Sequence, residues 1–346
     1  MTFTTAIRLT ANLRPSLPNP SPTPLLKPNM QHPYLFPADA HEGPVWVADQ
    51  CRLYYATTVH LEERRVSIQY LDFSALGVCD GSAVWTNLEP TATQKVTPHE
   101  FVHDANMANS MILGPDGRSL LVAEQGDEQR PSVISRIDVS TGKRTVFMDA
   151  SDDKPYNSLN KLVHTKRGHL VFSDPDYGFR QGFRPPPQRE PALYVRRADG
   201  TTERLACELK MPHGLALTPD ETTLFVTDTS NDGLHGDDVN LNLDNAVYRY
   251  PFDPASGTIT GEGTRCFTTE KGVPDGMVVQ DDRLLVAGGE GVLVADLEGN
   301  LIGRIPVPNG AVNLALAADG RHLFVTNDQA VLLFVDWRAF VRDKSS

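Results

Sequence analysis

The sequence predicts an all-β fold, a six-bladed β-propeller built from four-stranded antiparallel blades around a central channel. Three observations predict it. Runs of three to five apolar residues alternate with turns rich in Asp and Gly, the pattern of short strands joined by tight turns. One such strand–turn–strand unit recurs six times at spacings of tens of residues. Between the copies there is almost no 3.6-residue apolar stripe that would argue for helices.

Taken in order, the chain begins with "NLRPSLPNPSPTPLLKPNMQHPYLFP", where proline removes backbone donors and favours extended chain, so residues 1–38 are expected to form a loose arm and residues 39–342 a single propeller. The repeats follow: "EGPVWVADQCRLYYAT" from Glu42, "NSMILGPDGRSLLVAEQG" from Asn109, "NKLVHTKRGHLVFSD" from Asn160, "HGLALTPDETTLFVTD" from His213, "DGMVVQDDRLLVAGG" from Asp275 and "NLALAADGRHLFVTN" from Asn313. Tails such as "ALYVRRADG", "AVYRYPFDPASG" and "GVLVADLEGN" supply the further strands that complete four-stranded blades. The long stretch "DTSNDGLHGDDVNLNLDN" lacks the D-x-[DN]-x-[DN]-G spacing of a calcium loop and reads as a solvated linker.

Composition bounds the function. With 346 residues, 40% of them hydrophobic, the chain is long enough for a sizeable core. A net charge of -12 without a Lys/Arg run excludes nucleic acid and anionic membrane surfaces as partners. No apolar run of signal-peptide or membrane-spanning length occurs, so a cytoplasmic protein is expected. Cys51, Cys79, Cys207 and Cys266 are widely spaced and predict buried free thiols. The sequence is silent on oligomeric state.

One local motif points elsewhere. His99-Glu100-Phe101-Val102-His103 matches H-E-x-x-H, in which two histidines on one helical face hold zinc. That chemistry needs a helix, and β-branched Val102, the following "HDAN" and the missing apolar stripe predict a loop or strand. The protease reading is set aside; His103 is kept as a residue near the channel mouth.

In a propeller the residues that start the innermost strands face one opening. Here they are Glu42, Asn109, Asn160, His213, Asp275 and Asn313, all polar. Asn and Asp also favour strand starts as turn residues, which explains any one of them better than all six together.

The segments "EGPVW", "NSLNKLV", "VFSDPDYGF", "MPHGLALTPDETTLFVTDT" and "GVPDGMVV" resemble the gluconolactonase-like family that includes regucalcin, diisopropyl fluorophosphatase and fungal lactonohydrolases, in the right order over about residues 40 to 336. The resemblance implies a six-bladed propeller with a divalent cation, usually calcium, on Glu42, Asn160, His213 and Asp275. Two residues depart from the pattern: His213 stands where the family usually shows Asn, and Lys161 where it usually shows Asp. Imidazole is a poor substitute for an oxygen ligand of calcium, although it suits zinc. Lys161 either turns outward, as strand alternation allows, or turns inward and sets its ammonium against Glu42 and Asp275 in place of a metal. The cofactor expectation is therefore none, or one divalent cation (calcium or zinc) in the channel.

Three functional readings follow. The leading one is a metal-independent enzyme of natural-product metabolism catalysing a hetero-Diels-Alder type cyclisation, because Lys161 and His213 both reduce affinity for the cation hydrolysis needs while leaving donors for carbonyl activation; "PDYGFRQGFRPPPQ" also resembles the fungal branch in particular. In that reading Lys161, His213 or His103 donates to a carbonyl, Tyr177, Phe179 and Phe183 wall the channel, and Asn109, Asn160 and Asn313 contact a largely apolar small-molecule substrate. The alternative is a divalent-metal-dependent lactonase in which Asp275 or Glu42 activates water. The third is a non-catalytic binding propeller.

Overall fold

The computed structural model describes residues 32–78, 85, 88, 90–151, 154–233 and 243–343, and in it each repeat is an antiparallel hairpin extended outward by two more strands. Blade 1 runs from the channel outward as Glu42–Val47, Arg52–Ala56, Ile68–Asp72 and Pro98–Val102. Blade 2 is Ala108–Leu113, Ser119–Glu124, Val133–Asp138 and Arg144–Met148. Blade 3 is Leu162–His164, Leu170–Asp174, Ala192–Arg196 and Thr202–Arg204. Blade 4 is Pro212–Leu217, Thr223–Asp228, Ala246–Asp253 and Thr264–Thr268, with Thr258–Ile259 also pairing onto its third strand. Blade 5 is Met277–Gln280, Arg283–Gly288, Gly291–Asp296 and Leu301–Ile305, edged by Arg342–Asp343.

Blade 6 closes the ring. Its strands Asn313–Leu316, Leu323–Thr326 and Ala330–Phe334 come from the end of the chain, and its outer strand, Tyr34–Pro37, comes from the start. The loose arm expected up to residue 38 therefore does not include Tyr34–Pro37, which pair in the sheet; residues 1–31 lie outside the described residues. Proline density there does not outweigh burial. Phe36 is fully buried and meets Phe73 edge-on at 5.1 Å in the cluster between blades 6 and 1.

Hydrophobic clusters fill the contacts between successive blades. Between blades 6 and 1, Trp46 stacks on Phe324 at 5.4 Å; between blades 1 and 2 lie Tyr54, Leu120 and Val122. Because each second strand is covered on both faces by neighbouring blades, "SLLVAE" in blade 2 is buried at every position instead of alternating. Inner strands of neighbouring blades approach closely enough that glycine is required at Gly43: its φ is +55°, and a Cβ there would stand 2.5 Å from the Met111 nitrogen of blade 2.

The H-E-x-x-H segment is the outermost strand of blade 1, and two residues four apart on a strand are separated by about 13 Å, so it forms no zinc site. Cys51 is disulfide-bonded, correcting the expectation of a free thiol there; residues far apart in sequence meet when a loop folds back, which spacing alone does not show. Cys207 and Cys266 are free and half-buried, and Cys79 lies outside the described residues. Among the described residues no helix is long and apolar enough to cross a membrane.

Ring closure through Phe36 carries a prediction. Phe36→Ala should lower stability by about 3–5 kcal/mol, the usual cost of emptying a large buried site. Leu35→Ala, on the exposed face of the same strand, should shift it by less than about 0.5 kcal/mol. Thermal or urea melts of both variants decide; equal melting would mean the strand does not close the ring.

Candidate active site

The second strand of a blade holds the first residues of the inner strand in place. In blade 3 the Lys161 amide donates to Ser173 Oγ at 3.0 Å, in blade 4 the Gly214 amide to Thr227 Oγ1 at 2.6 Å, and in blade 6 the Asn313 amide to Thr326 Oγ1 at 3.2 Å. The next residue on the second strand anchors the incoming loop in two of these blades. Asp174 accepts from the Asn157 and Ser158 amides at 3.0 and 2.9 Å, and Asp228 from the Lys210 and Met211 amides at 3.3 Å each. Register shifts at Glu42/Val45, Ala108/Met111 and Pro212/Leu215 mark bulges where inner strands begin, which re-aim Glu42, Asn109 and His213. At Gly214 a Cβ would fall 2.3 Å from the Asp275 carbonyl oxygen, so glycine lets blades 4 and 5 close on each other beside the site.

These devices bring together a buried charged cluster. Lys161 turns inward: its Nζ lies 2.5 Å from Glu42 Oε1 and donates to Oε2 as well. Asp275 Oδ1 stands 2.9 Å from the same ammonium, an ion pair not aligned as a hydrogen bond. His213 Nδ1 is 3.6 Å from Asp275 Oδ1. Asn313 Nδ2 donates to Glu42 Oε2 at 2.7 Å, and the Gly43 amide reaches the same oxygen at 3.2 Å. Tyr177 packs edge-on against the His213 ring at 5.4 Å and donates its hydroxyl hydrogen to Thr229 Oγ1 at 2.6 Å. The side-chain oxygens of Asn109 and Asn160 are buried without a hydrogen-bond partner among the described residues.

Burial alone would favour neutral Lys161, but Asp275 and Glu42 outweigh it and hold its pKa above the ordinary lysine value. His213 goes the other way. Burial first, then the Lys161 charge, push its pKa down to about 3, so the imidazole is uncharged at neutral pH.

Glu42, His213 and Asp275 each offer a ligand atom, all within 4.8 Å of one another, as a metal site requires. The ammonium lies in the same space. A divalent ion about 3 Å from it would meet a repulsion of order ~10 kcal/mol at an effective dielectric near ~20. Glu42 Oε2, moreover, already receives Lys161, Asn313 and Gly43. With Lys161 so placed, the donor set does not fit a divalent cation.

Other expected site residues lie elsewhere. His103 follows the outer strand of blade 1, is exposed, and pairs with Glu100 at 3.0 Å; the outward strand order puts it at the rim, far from the channel mouth. Phe179, in the short helix Tyr177–Arg180, points to solvent, and Phe183 packs in the core between blades 1 and 2, so neither walls the channel. His41 was missed. It sits immediately before Glu42 and pairs through Nδ1 with Asp328 Oδ1 at 2.6 Å; the dipeptide His41-Glu42 at a repeat head was the available signal. Past Lys161 the channel opens into a cavity of about 290 Å³ whose lining includes Met111, Leu215, Met277 and Leu314.

Known proteins share this architecture. The profile described as "SMP-30/Gluconolactonase/LRE-like region" matches residues 40–329. A gluconolactonase of Zymomonas mobilis is 27% identical over 65% of this chain and 62% of its own length, so the match spans less than two thirds of that relative. The lactonohydrolase oryL of Aspergillus oryzae is 24% identical over 86% of this chain and 68% of its own. Among solved structures, a gluconolactonase from Xanthomonas campestris superposes with a TM-score of 0.68 at 23% identity, covering 87% of this chain and 88% of that one. A calcium-binding regucalcin from Agrobacterium tumefaciens gives 0.61 at 21%, covering 86% and 90%. These two show the fold.

Two pH responses follow from the cluster. The His213 ring should show no titration between pH 5 and 8 by NMR; its depressed value means stability present above the ordinary histidine pKa near ~6.5 is lost on acidification towards about 3. For Lys161, with a raised value, stability is fully present below the ordinary ~10.4 and lost as pH rises through the folded pKa. The stability difference between wild type and Lys161→Met should therefore stay level from pH 7 to 10 and shrink only above, as read by urea melts across that range.

Proposed function

We propose that this chain, which belongs to the SMP-30/Gluconolactonase/LRE-like family, opens cyclic esters by hydrolysis in its central channel. The observation that carries the reading is the buried Glu42–Lys161–Asp275–His213 cluster at the head of the inner strands, in a family whose matched relatives include a gluconolactonase, a pentonolactonase and a lactonohydrolase. Those relatives support hydrolysis better than the cyclisation to which the sequence alone had led.

The chemistry needs a base for water and a positive centre for the oxyanion. Asp275 is the base: its side chain is 17% exposed while those of Lys161 and His213 are 5%, so it is the member of the cluster that water reaches most readily. Water adds to the carbonyl carbon as its proton passes to the Asp275 carboxylate. The carbonyl electron pair moves onto oxygen, and collapse of this tetrahedral species breaks the ring C–O bond. The departing ring oxygen takes the proton back from Asp275, leaving a hydroxy acid. His213, uncharged, helps hold the water by hydrogen bonding without adding charge. Glu42 stays out of proton transfer because both its oxygens are engaged.

The partnerless side-chain oxygens of Asn109 and Asn160 are acceptors that a substrate hydroxyl satisfies. They support a lactone bearing ring hydroxyls.

A panel of five- and six-membered lactones, followed by proton release, tests this. Hydroxylated rings should be opened with higher kcat/KM than their deoxy counterparts, and Asp275→Asn should lower kcat by about 10²–10⁴-fold while the melting profile stays folded. If no member is opened above the uncatalysed rate, or Asp275→Asn hydrolyses as well as wild type, the reading fails.

A further inference from the structure

Lys161 links the two carboxylates of the cluster. Its backbone amide is tied to Ser173 Oγ, its side chain is 5% exposed, and its ammonium meets carboxylates from blades 1 and 5. Glu42 has no oxygen left to ligate an ion, since Oε1 faces Lys161 and Oε2 receives Lys161, Asn313 and Gly43.

We propose that Lys161 is a tethered substitute for a divalent cation: its ammonium, held by Glu42 and Asp275, supplies the positive charge that polarises the substrate carbonyl, and the site takes up no metal ion. The catalytic part rests on the hydrolytic reading above; the exclusion of metal rests on the cluster alone. Through the reaction Lys161 keeps its proton. When the carbonyl electron pair moves onto oxygen, the oxyanion forms against the ammonium, and the pair returns to carbon as the ring oxygen leaves.

The predicted consequence is a latent metal site. Removing the ammonium while leaving an oxygen ligand, as in Lys161→Asn, leaves two carboxylates and an imidazole with ligand atoms within 4.8 Å of one another, joined by the new amide oxygen. Lys161→Met removes the charge and offers no ligand.

The experiment treats purified full-length wild type, Lys161→Asn and Lys161→Met with EDTA, then quantifies metals by elemental analysis and titrates each with calcium, manganese and zinc chlorides by calorimetry, with lactone turnover measured in parallel. Wild type should hold no stoichiometric ion, give no binding isotherm at this site and turn over equally with and without EDTA. Lys161→Asn should bind one divalent ion per chain and recover turnover at least about tenfold on its addition, whereas Lys161→Met should bind none and lose roughly a hundredfold in both conditions. One equivalent of tightly held divalent ion in wild type, or loss of wild-type turnover in EDTA, overturns the proposal. Should a variant fail to fold, the wild-type metal content and chelation results decide by themselves. Should no lactone be turned over, the metal titrations still judge the exclusion of metal while the hydrolytic reading falls separately.

Discussion

The pairing of Lys161 with Glu42 is the constraint on which the channel depends. The two residues lie 119 positions apart and on different blades, 3 and 1, and their partners Asp275, His213 and Asn313 come from blades 5, 4 and 6. Only a closed ring brings them within hydrogen-bonding distance. Two charges taken out of water cost several kcal/mol each, and mutual attraction offsets this only when geometry is good and remaining lone pairs are satisfied. Asn313 and the Gly43 amide provide that satisfaction for Glu42. Site and fold are thus coupled: a blade displaced by an ångström would leave a buried charge without its partner, so closure by Tyr34–Pro37 at the periphery and ion pairing at the centre support the same arrangement.

Much of this was legible in the residues. The repeat of apolar run, Asp/Gly turn and apolar run placed every blade, and the six strand-heading residues were identifiable because they share one phase of the repeat. Glu42, Asn109, Asn160, His213, Asp275 and Asn313 all lie within two residues of the start of an inner strand. What failed were residues judged by their own chemistry without the radial order of strands. His103 lies close in sequence to the inner strand of blade 2, yet the strand before it is the outermost of blade 1, and the chain crosses the full width of a blade between them. Phe179 follows buried Tyr177 by two residues on a single helical turn, which turns it to solvent. The end of the arm was misjudged because proline density reports backbone preference, whereas Phe36 is held by packing on Phe73 and by pairing with Ala330–Phe334 from the other end of the chain.

A second signal was present and went unread. The dipeptides Ser173-Asp174 and Thr227-Asp228 end the second strands of blades 3 and 4, and Thr326-Asn327 straddles the end of that of blade 6. Each hydroxyl accepts from a backbone amide at the head of the neighbouring inner strand; Asp174 and Asp228 also accept from amides of the incoming loop, and Asn327 from the Gln329 and Ala330 amides at the turn into the third strand. A hydroxyl and an acceptor in sequence at the same repeat phase are therefore a brace for the channel-facing residue one strand inward. It also explains why period-two alternation left Lys161 open to either direction. The Ser173 carbonyl accepts from the Asn160 amide while the Ser173 amide donates to the Lys161 carbonyl, so one residue of the second strand faces two of the inner chain, and simple alternation does not hold there.

The two departures from the family pattern, Lys161 and His213, are physically one change. A buried ammonium at the centre of the channel makes any second cation nearby costly, so a residue on blade 4 that approaches it must be neutral. His213 meets that condition: burial and the Lys161 charge both oppose its protonation, and the Tyr177 ring covers one side of it. An imidazole there in the absence of Lys161 would lose the second of those pressures and feel Glu42 instead, which favours the charged form. Burial thus keeps the histidine uncharged, with the lysine adding to it, and no second cation enters the cluster from blade 4. Closure of the ring thereby turns six polar strand heads into a buried cluster with one ammonium set between two carboxylates.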